Sequence, residues 1–238
     1  MKNMPQCRVF SIKVETCFDL IRKHLKQEMV EEEVIIPNTV PVMVLSCATL
    51  YPHSYMPLFI FEERYRSMLE YALQHDRMVC IGNALPGIDA DTHPNPVHPV
   101  TTAGLVRACV THEDGTSHLM LSGIQRVEII GWEQVAPFRV ATIIARPCFH
   151  SDESLSRSLA LELIDLGSQM SGEGQPMSEP MRDHLRGIKD PAAIADVVAH
   201  TFLNDPVQRQ QLLEMEDVSE RLGHLVHHLT HCITSGEI

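Results

Sequence analysis

The sequence predicts an α+β fold: a small, partly open β barrel that takes in one helix, followed by a helical part. Three observations carry this. Short strand-like runs crowd residues 34–146, and one long helical stretch, 62–74, interrupts them. From residue 151 onward, apolar residues return every three or four positions, with capping signals between the stretches. Strands spaced this closely favour antiparallel or mixed pairing, because every parallel pair needs a long crossover.

The elements follow in order. Val14, Phe18, Ile21, Leu25 and Met29 make one apolar stripe on a helix over 13–33. That stripe suits packing on the domain that follows, or a partner-binding or dimerising arm. Residues 40–45 and 78–81 read as buried strands. Between them, an apolar patch at 56–61 leads into the helix at 62–74. Tyr65, Met68, Leu69 and Ala72 form its buried face, and Glu62 and Glu63 suit the positive end of its dipole. Residues 85–101 hold four prolines and no periodicity, which marks a solvated loop whose prolines blunt a sheet edge. His93, His98, Asp89 and Asp91 in that loop are weak cation candidates. Strands at 105–111 and 117–121 flank Glu113-Asp114-Gly115-Thr116, a hairpin signal because Asp-Gly accepts positive φ. Gly123 is expected at a tight turn, and Arg126 in a sheet-surface or inter-element ion pair. Arg126-Val127-Glu128-Ile129 alternates like a half-wet strand, and 140–145 is a further apolar run.

Leu155, Leu159, Leu163 and Leu166 stripe the first C-terminal helix, and residues 171–175 break it. Asp190-Pro191 and Asp205-Pro206 each place a capping acid before a proline at the first helical position. Asp217-Val218-Ser219-Glu220 resembles a capping box and opens a last helix over 218–235, with Gly236 near its end. The predicted organisation is an N-terminal amphipathic extension, 1–34, a β-rich subdomain, 35–148, and a helical subdomain, 149–238.

Hydrophobic residues make up 44% of the chain and aromatics 5%, so an aliphatic core is expected. The formal net charge of −12 argues against a broad nucleic-acid surface and against anionic membrane. Cys7, Cys17, Cys47, Cys80, Cys109, Cys148 and Cys232 form no Cys-x-x-Cys, which fits a reducing compartment. Charges interrupt every apolar run, so neither a signal-peptide core nor a spanning helix is read, and a cytoplasmic location is expected.

Motifs for chemistry are missing. No Gly-Lys-[Ser/Thr] is present to cradle phosphates, and no Gly-x-Ser-x-Gly elbow. His112-Glu113 continues as Asp114, Gly115 and Thr116, not as a metallopeptidase helix. No catalytic residue and no cofactor is expected. His224, His227, His228 and His231 share helical faces and are the metal candidates. Met215, Val218, Leu222, Leu225, Leu229 and Cys232 form an apolar seam that accounts for the same helix alone, which makes the histidines a solvated face. Trp132, the sole tryptophan, suits buried packing or an exposed anchor equally.

Several stretches, in order, carry a family pattern. They are Leu50-Tyr51-Pro52, then Met56-Pro57-Leu58-Phe59-Ile60-Phe61, then Glu62-Glu63-Arg64-Tyr65 opening a helix. Gly104-Leu105-Val106 and Leu121-Ser122-Gly123-Ile124-Gln125-Arg126-Val127 follow. Ile194-Ala195-Asp196, Gln210-Gln211-Leu212-Leu213-Glu214 and Asp217-Val218-Ser219-Glu220-Arg221-Leu222 complete the set. The chain thereby resembles the N-terminal domain of the Lon protease family over 40–233. His53 and Glu63 depart from the usual Gly and Pro, which bears on local turns only. The resemblance implies a PUA-like β pseudo-barrel with an inserted helix, followed by a C-terminal helical bundle. It also implies a module standing without the family's ATPase and Ser–Lys peptidase. The implied role is non-catalytic binding of unfolded polypeptide or a protein partner, a separate ATP-dependent protease among the candidates. An apolar groove or an edge strand would do the binding, and the candidate residues are Tyr51, Tyr55, Met56, Phe59 and Trp132. A peptidase-associated or small-molecule enzyme with a pocket between barrel and bundle is the alternative. RNA binding through the PUA-like fold is a third, which the acidic charge disfavours. Any unused part of the last helix's seam could pair two copies.

Overall fold

The computed structural model describes residues 34–90, 92–169, 177 and 179–235. The predicted helix over 13–33, the break at 171–175, Asp91 and Gly236 lie outside these residues. Among the described residues, six strands form one mixed sheet and six helices complete an α+β fold. The strands are β1 (Thr39–Leu45), β2 (Tyr55–Ile60), β3 (Met78–Asn83), β4 (Val100–Thr111), β5 (Ser117–Gln134) and β6 (Arg139–Ala145). Helix α1 (Glu63–Gln74) falls between β2 and β3. Then come α2 (Glu153–Gln169), α3 (Glu179–Gly187), α4 (Pro191–Phe202), α5 (Pro206–Glu214) and α6 (Val218–Ser235).

The strand order is β2-β5-β4-β3-β1-β6, and β5 also pairs with β6. Five strands therefore close a ring of pairings, β5-β4-β3-β1-β6. Strand β2 stands outside that ring on the first half of β5. One strand, β5, is long enough to close the ring between β4 and β6 and to carry β2 as well. Residues 117–121 and 126–129, read from the sequence as separate strands, join into β5 to do so. Gly123 does not make the tight turn that the sequence leads us to expect. It lies inside β5 where the Tyr51 carbonyl comes so close that a Cβ would collide with it. The Asp-Gly hairpin forms as predicted: Gly115 takes φ +79°, and Asp114 Oδ1 accepts from Thr116 N (2.9 Å) and Oγ1 (2.7 Å).

β1 and β3 are parallel, joined by a crossover that contains β2 and α1. Inside the ring, small and branched residues meet: Val40, Val42, Cys80, Ala103, Val127, Ala141 and Ile143. Burial pushes the Cys80 thiol up to about 12, as expected for a sulfur acting as a hydrophobe. Helix α1 covers one side with Tyr65, Met68, Leu69 and Ala72, the face predicted for it, and Tyr65 donates its hydroxyl to Val44 O at 2.8 Å.

Helices α2–α6 build a second cluster around Leu163, Leu185, Val198, Leu222, Leu225 and Leu229. The predicted seam of α6 is spent here, since Val218, Leu222, Leu225 and Leu229 are fully buried in the chain's own core. The stripe of α2 packs through Leu159, Leu163 and Leu166, and the buried face extends onto small residues beside it. Leu155 is exposed, while Ser156, Ala160, Leu163, Ile164 and Gly167 are buried. Small residues win because α2 lies close along α6, where Ser156 Oγ meets Ser219 Oγ at 2.9 Å. The predicted caps form: Asp190 and Asp205 accept from Ala192 N and Val207 N, each at 2.9 Å.

One carboxylate joins strands to helices. Asp196 of α4, 1% exposed, takes a bidentate pair from Arg126 of β5 (2.9 and 2.5 Å) and a third bond from Arg221 of α6 (2.9 Å). Arg126 Nε also donates to Leu213 O (3.0 Å), and Arg221 Nη2 to Met215 O (3.0 Å). Burial opposes the charge on Arg126. The adjacent Asp196 carboxylate offsets this and holds the guanidinium above its ordinary value. The inter-element option for Arg126 is the one realised. Asp196→Asn should cost about 3–5 kcal/mol, because it strands two buried guanidiniums; a urea titration of the variant against the parent measures it.

Candidate functional site

Strand β2 reads Tyr-Met-Pro-Leu-Phe-Ile, and its central proline has no N–H to give a ladder. Such a residue survives only at a sheet edge, and β2 is an edge. Among the described residues it pairs with β5 alone, from Tyr55↔Ser122 to Ile60↔Ser117. Gly123 N donates to Ser54 O at 2.9 Å, so alternate residues 54, 56, 58 and 60 turn their backbone groups toward β5. Tyr55, Pro57 and Phe59 turn theirs away. His200 of α4 lies beside the Tyr55 backbone at that end. The Pro57 carbonyl and the Phe59 amide and carbonyl form the open stretch.

The side chains alternate too. Met56 (9% exposed) and Ile60 (2%) point into the core under α1. Tyr55, Pro57 and Phe59 lie on the other face. Phe59 stacks on Phe61 (ring centroids 5.9 Å apart) and against His118 on β5 (4.6 Å). The row continues across the sheet, Phe59 opposite His118 and His118 opposite Val110. Phe61 and Val110 are 54% and 60% exposed, which makes this an aromatic and aliphatic surface beside an open strand.

The five candidate residues from the sequence divide accordingly. Tyr55 and Phe59 share the outward face of β2, and Met56 supports them from beneath. Tyr51 is fully buried where strands meet helices, its hydroxyl donating to Arg209 O at 2.6 Å, so no ligand reaches it in this arrangement. Trp132 lies elsewhere, on a groove of about 360 Å³ with Leu85, Val97, Pro99 and Ile129. Its indole donates to Asn95 Oδ1 at 2.9 Å, and Arg139 lies over its ring. Arg139 also donates to the carbonyls of Ala90, His93 and Pro94, so the proline-rich loop is pinned to the sheet. Sequence reasoning missed Phe61 and His118. The exposed Phe-x-Phe pair was a usable signal; His118 was legible only once register was known.

On α6, His224, His227 and His231 are exposed. His228 faces Cys232, ring nitrogen to sulfur 3.6 Å, and burial lowers its pKa. Among the described residues no group of three or more His, Cys, Asp or Glu is placed to hold a metal ion. A cleft of about 250 Å³ does lie between strands and helices, lined in part by Arg126, Arg146, Cys148, Asp190 and Asp196. Its charged groups are engaged with protein. Arg126 holds Asp196, Arg146 pairs with Glu128 and Glu216, and Asp190 caps α4. Among the described residues no helix is long and apolar enough to cross a membrane.

A family model for the ATP-dependent protease La (LON) substrate-binding domain matches residues 39–231. The chain belongs to this family. Lon protease 2 of Herpetosiphon aurantiacus is 31% identical over 192 residues, covering 78% of this chain and 23% of that protein. The Lon protease of Escherichia coli strain K12 is 27% identical over 190 residues, covering 79% and 24%. The chain thus spans less than a quarter of the length of these curated relatives. In fold it is similar to the N-terminal domain of the Mycobacterium avium complex Lon protease (TM-score 0.65, 18% identity, 81% of this chain and 98% of that one). A Lon N-terminal domain protein from Xanthomonas campestris is also similar (TM-score 0.57, 17% identity, 80% and 98%).

The anchored end of β2 carries a pH dependence. Burial, then the neighbouring Arg209, lowers the His200 imidazole from 6.5 to about 4, against the opposing bond to Tyr55. Between those values the unfolded chain holds a proton that the folded chain lacks. Stability from this group is therefore complete above about pH 6.5 and is lost as pH falls toward 4. Replacing His200 with Gln should flatten the urea midpoint across that window; an unchanged slope would assign the loss to other groups.

Proposed function

We propose that this chain is a non-catalytic module that binds extended apolar stretches of unfolded polypeptide, or of a protein partner. The bound segment adds to β2 as a further strand. The observation that carries this is the open edge of β2 beside the exposed Phe59–Phe61 row. Backbone groups at Pro57 and Phe59 supply sequence-independent hydrogen bonds. The aromatic row supplies apolar contact for alternate side chains of the guest. Tyr55 and Phe59 make contact, and Met56 fixes the strand from below.

In this reading the strand ring is a PUA-like pseudo-barrel within 35–148, α2–α6 are a helical bundle within 149–238, and residues 1–34 are an extension. The family's description supports a substrate-binding role, and a separate ATP-dependent protease is a candidate partner. The module acts in the cytoplasm and leaves nucleic acid alone, as a net charge of −12 favours.

The test is binding of a fluorescently labelled, permanently unfolded polypeptide, followed by anisotropy. Phe59→Ala combined with Phe61→Ala should weaken binding about tenfold or more, the loss expected from removing anchor aromatics. Leu161→Ser on α2, exposed and remote in the chain from β2, is the comparator and should leave affinity unchanged. Equal affinity of the double variant and the parent would refute the edge-strand reading.

A further inference from the structure

We propose that His112 and His118 form a binding site for a divalent transition-metal cation of the kind that prefers imidazole, such as copper, zinc or nickel. The two residues face each other across the β4–β5 hairpin. His112 Nε2 and His118 Nδ1 are 2.8 Å apart, with the rings edge to face at 88°. Both side chains are exposed, so a cation and its waters have access.

The scaffold beneath them is fixed. His112 N donates to Thr116 O at 2.8 Å, Gly115 N to His112 O at 3.0 Å, and Asp114 clamps Thr116 twice. Phe59 braces the His118 ring at a centroid distance of 4.6 Å. Metal–imidazole bonds of about 2.0–2.1 Å, at tetrahedral or square angles, place two ligand nitrogens roughly 2.9–3.4 Å apart. The pair needs to open by only a few tenths of an ångström, within reach of two exposed side chains.

Proton bookkeeping agrees. The hydrogen bond between the rings requires one of the two facing nitrogens to carry the proton. With the protons on His112 Nδ1 and His118 Nε2, both lone pairs face each other, a repulsive arrangement until a cation sits between them. Binding therefore asks for a tautomer change and releases no proton. Glu113 and Asp114 in the same turn favour a cation, while the guanidinium of Arg66 lies against Gly115 and opposes it. With two protein ligands, water fills the remaining positions and the metal exchanges freely. Both ligands belong to the hairpin, and β2 contributes only the Phe59 ring beside His118.

The experiment is calorimetric titration of the full chain with Cu²⁺, and separately with Zn²⁺. The parent, His112→Gln, His118→Gln and the α6 variant His228→Gln are compared. The expected result is that each hairpin variant loses the same tight equivalent, its affinity falling about tenfold or more, with Cu²⁺ held more tightly than Zn²⁺. His228→Gln should retain that equivalent. Titrations of both hairpin variants that match the parent, or a loss confined to one of them, would overturn the paired site. Circular dichroism of each variant separates a lost ligand from a lost fold.

Discussion

A single buried carboxylate holds the two halves of this structure in register. Asp196 receives Arg126 from the strand ring and Arg221 from the last helix, and each arginine also reaches a carbonyl at the end of α5. One acid and one helix C-terminus, the negative end of its dipole, thereby neutralise two guanidiniums that the core would otherwise reject. Around this centre the contacts are polar and specific. Gln210 bridges Asn83 and the Val100 carbonyl, and Arg209 reaches the Thr49 carbonyl. Hydrophobic packing fills each half, and these polar bonds decide how the halves meet.

The same demand for closeness shapes the strand ring. β5 runs unbroken past Gly123 because only a residue without a side chain admits the Tyr51 backbone there. The Tyr51 carbonyl also accepts from Ser54 Oγ at 2.6 Å, and His53 N bonds Gly123 O at 3.0 Å. The turn before β2 is thus sewn to the middle of β5, which sets where β2 begins and which of its faces looks outward. Local chain chemistry at 51–54 positions a surface several residues away.

Much of this was legible in the sequence, for identifiable reasons. Periodicity and caps found α1, α4, α5 and α6, because those helices bury one face and start at Asp or Glu. The Asp-Gly hairpin and the parting of strands from helices were equally plain. Strand β2 was seen only as an apolar patch, since Pro57 hides a strand whenever its edge position is unknown. On α2, Leu159, Leu163 and Leu166 pack as their spacing implies, while the share of the buried face held by small Ser156, Ala160 and Gly167 is not visible in an apolar pattern. The proline-rich loop is largely solvent-exposed as expected, but nothing local reveals that Arg139, more than forty residues on, holds three of its carbonyls. Of the candidate residues, those on β2 came together. Tyr51 and Trp132 were drawn by aromatic character to other tasks.

The position of β2 outside the closed ring has a consequence for how this protein can diverge. None of the five ring strands needs β2 to complete its circuit, and the side chains of 57 and 59 lie on the face of β2 turned away from the core. Changes of residue type there spare the scaffold, while changes at Gly123 or Asp196 do not. The arrangement lets the side chains of this outward surface change quickly among descendants of one rigid frame.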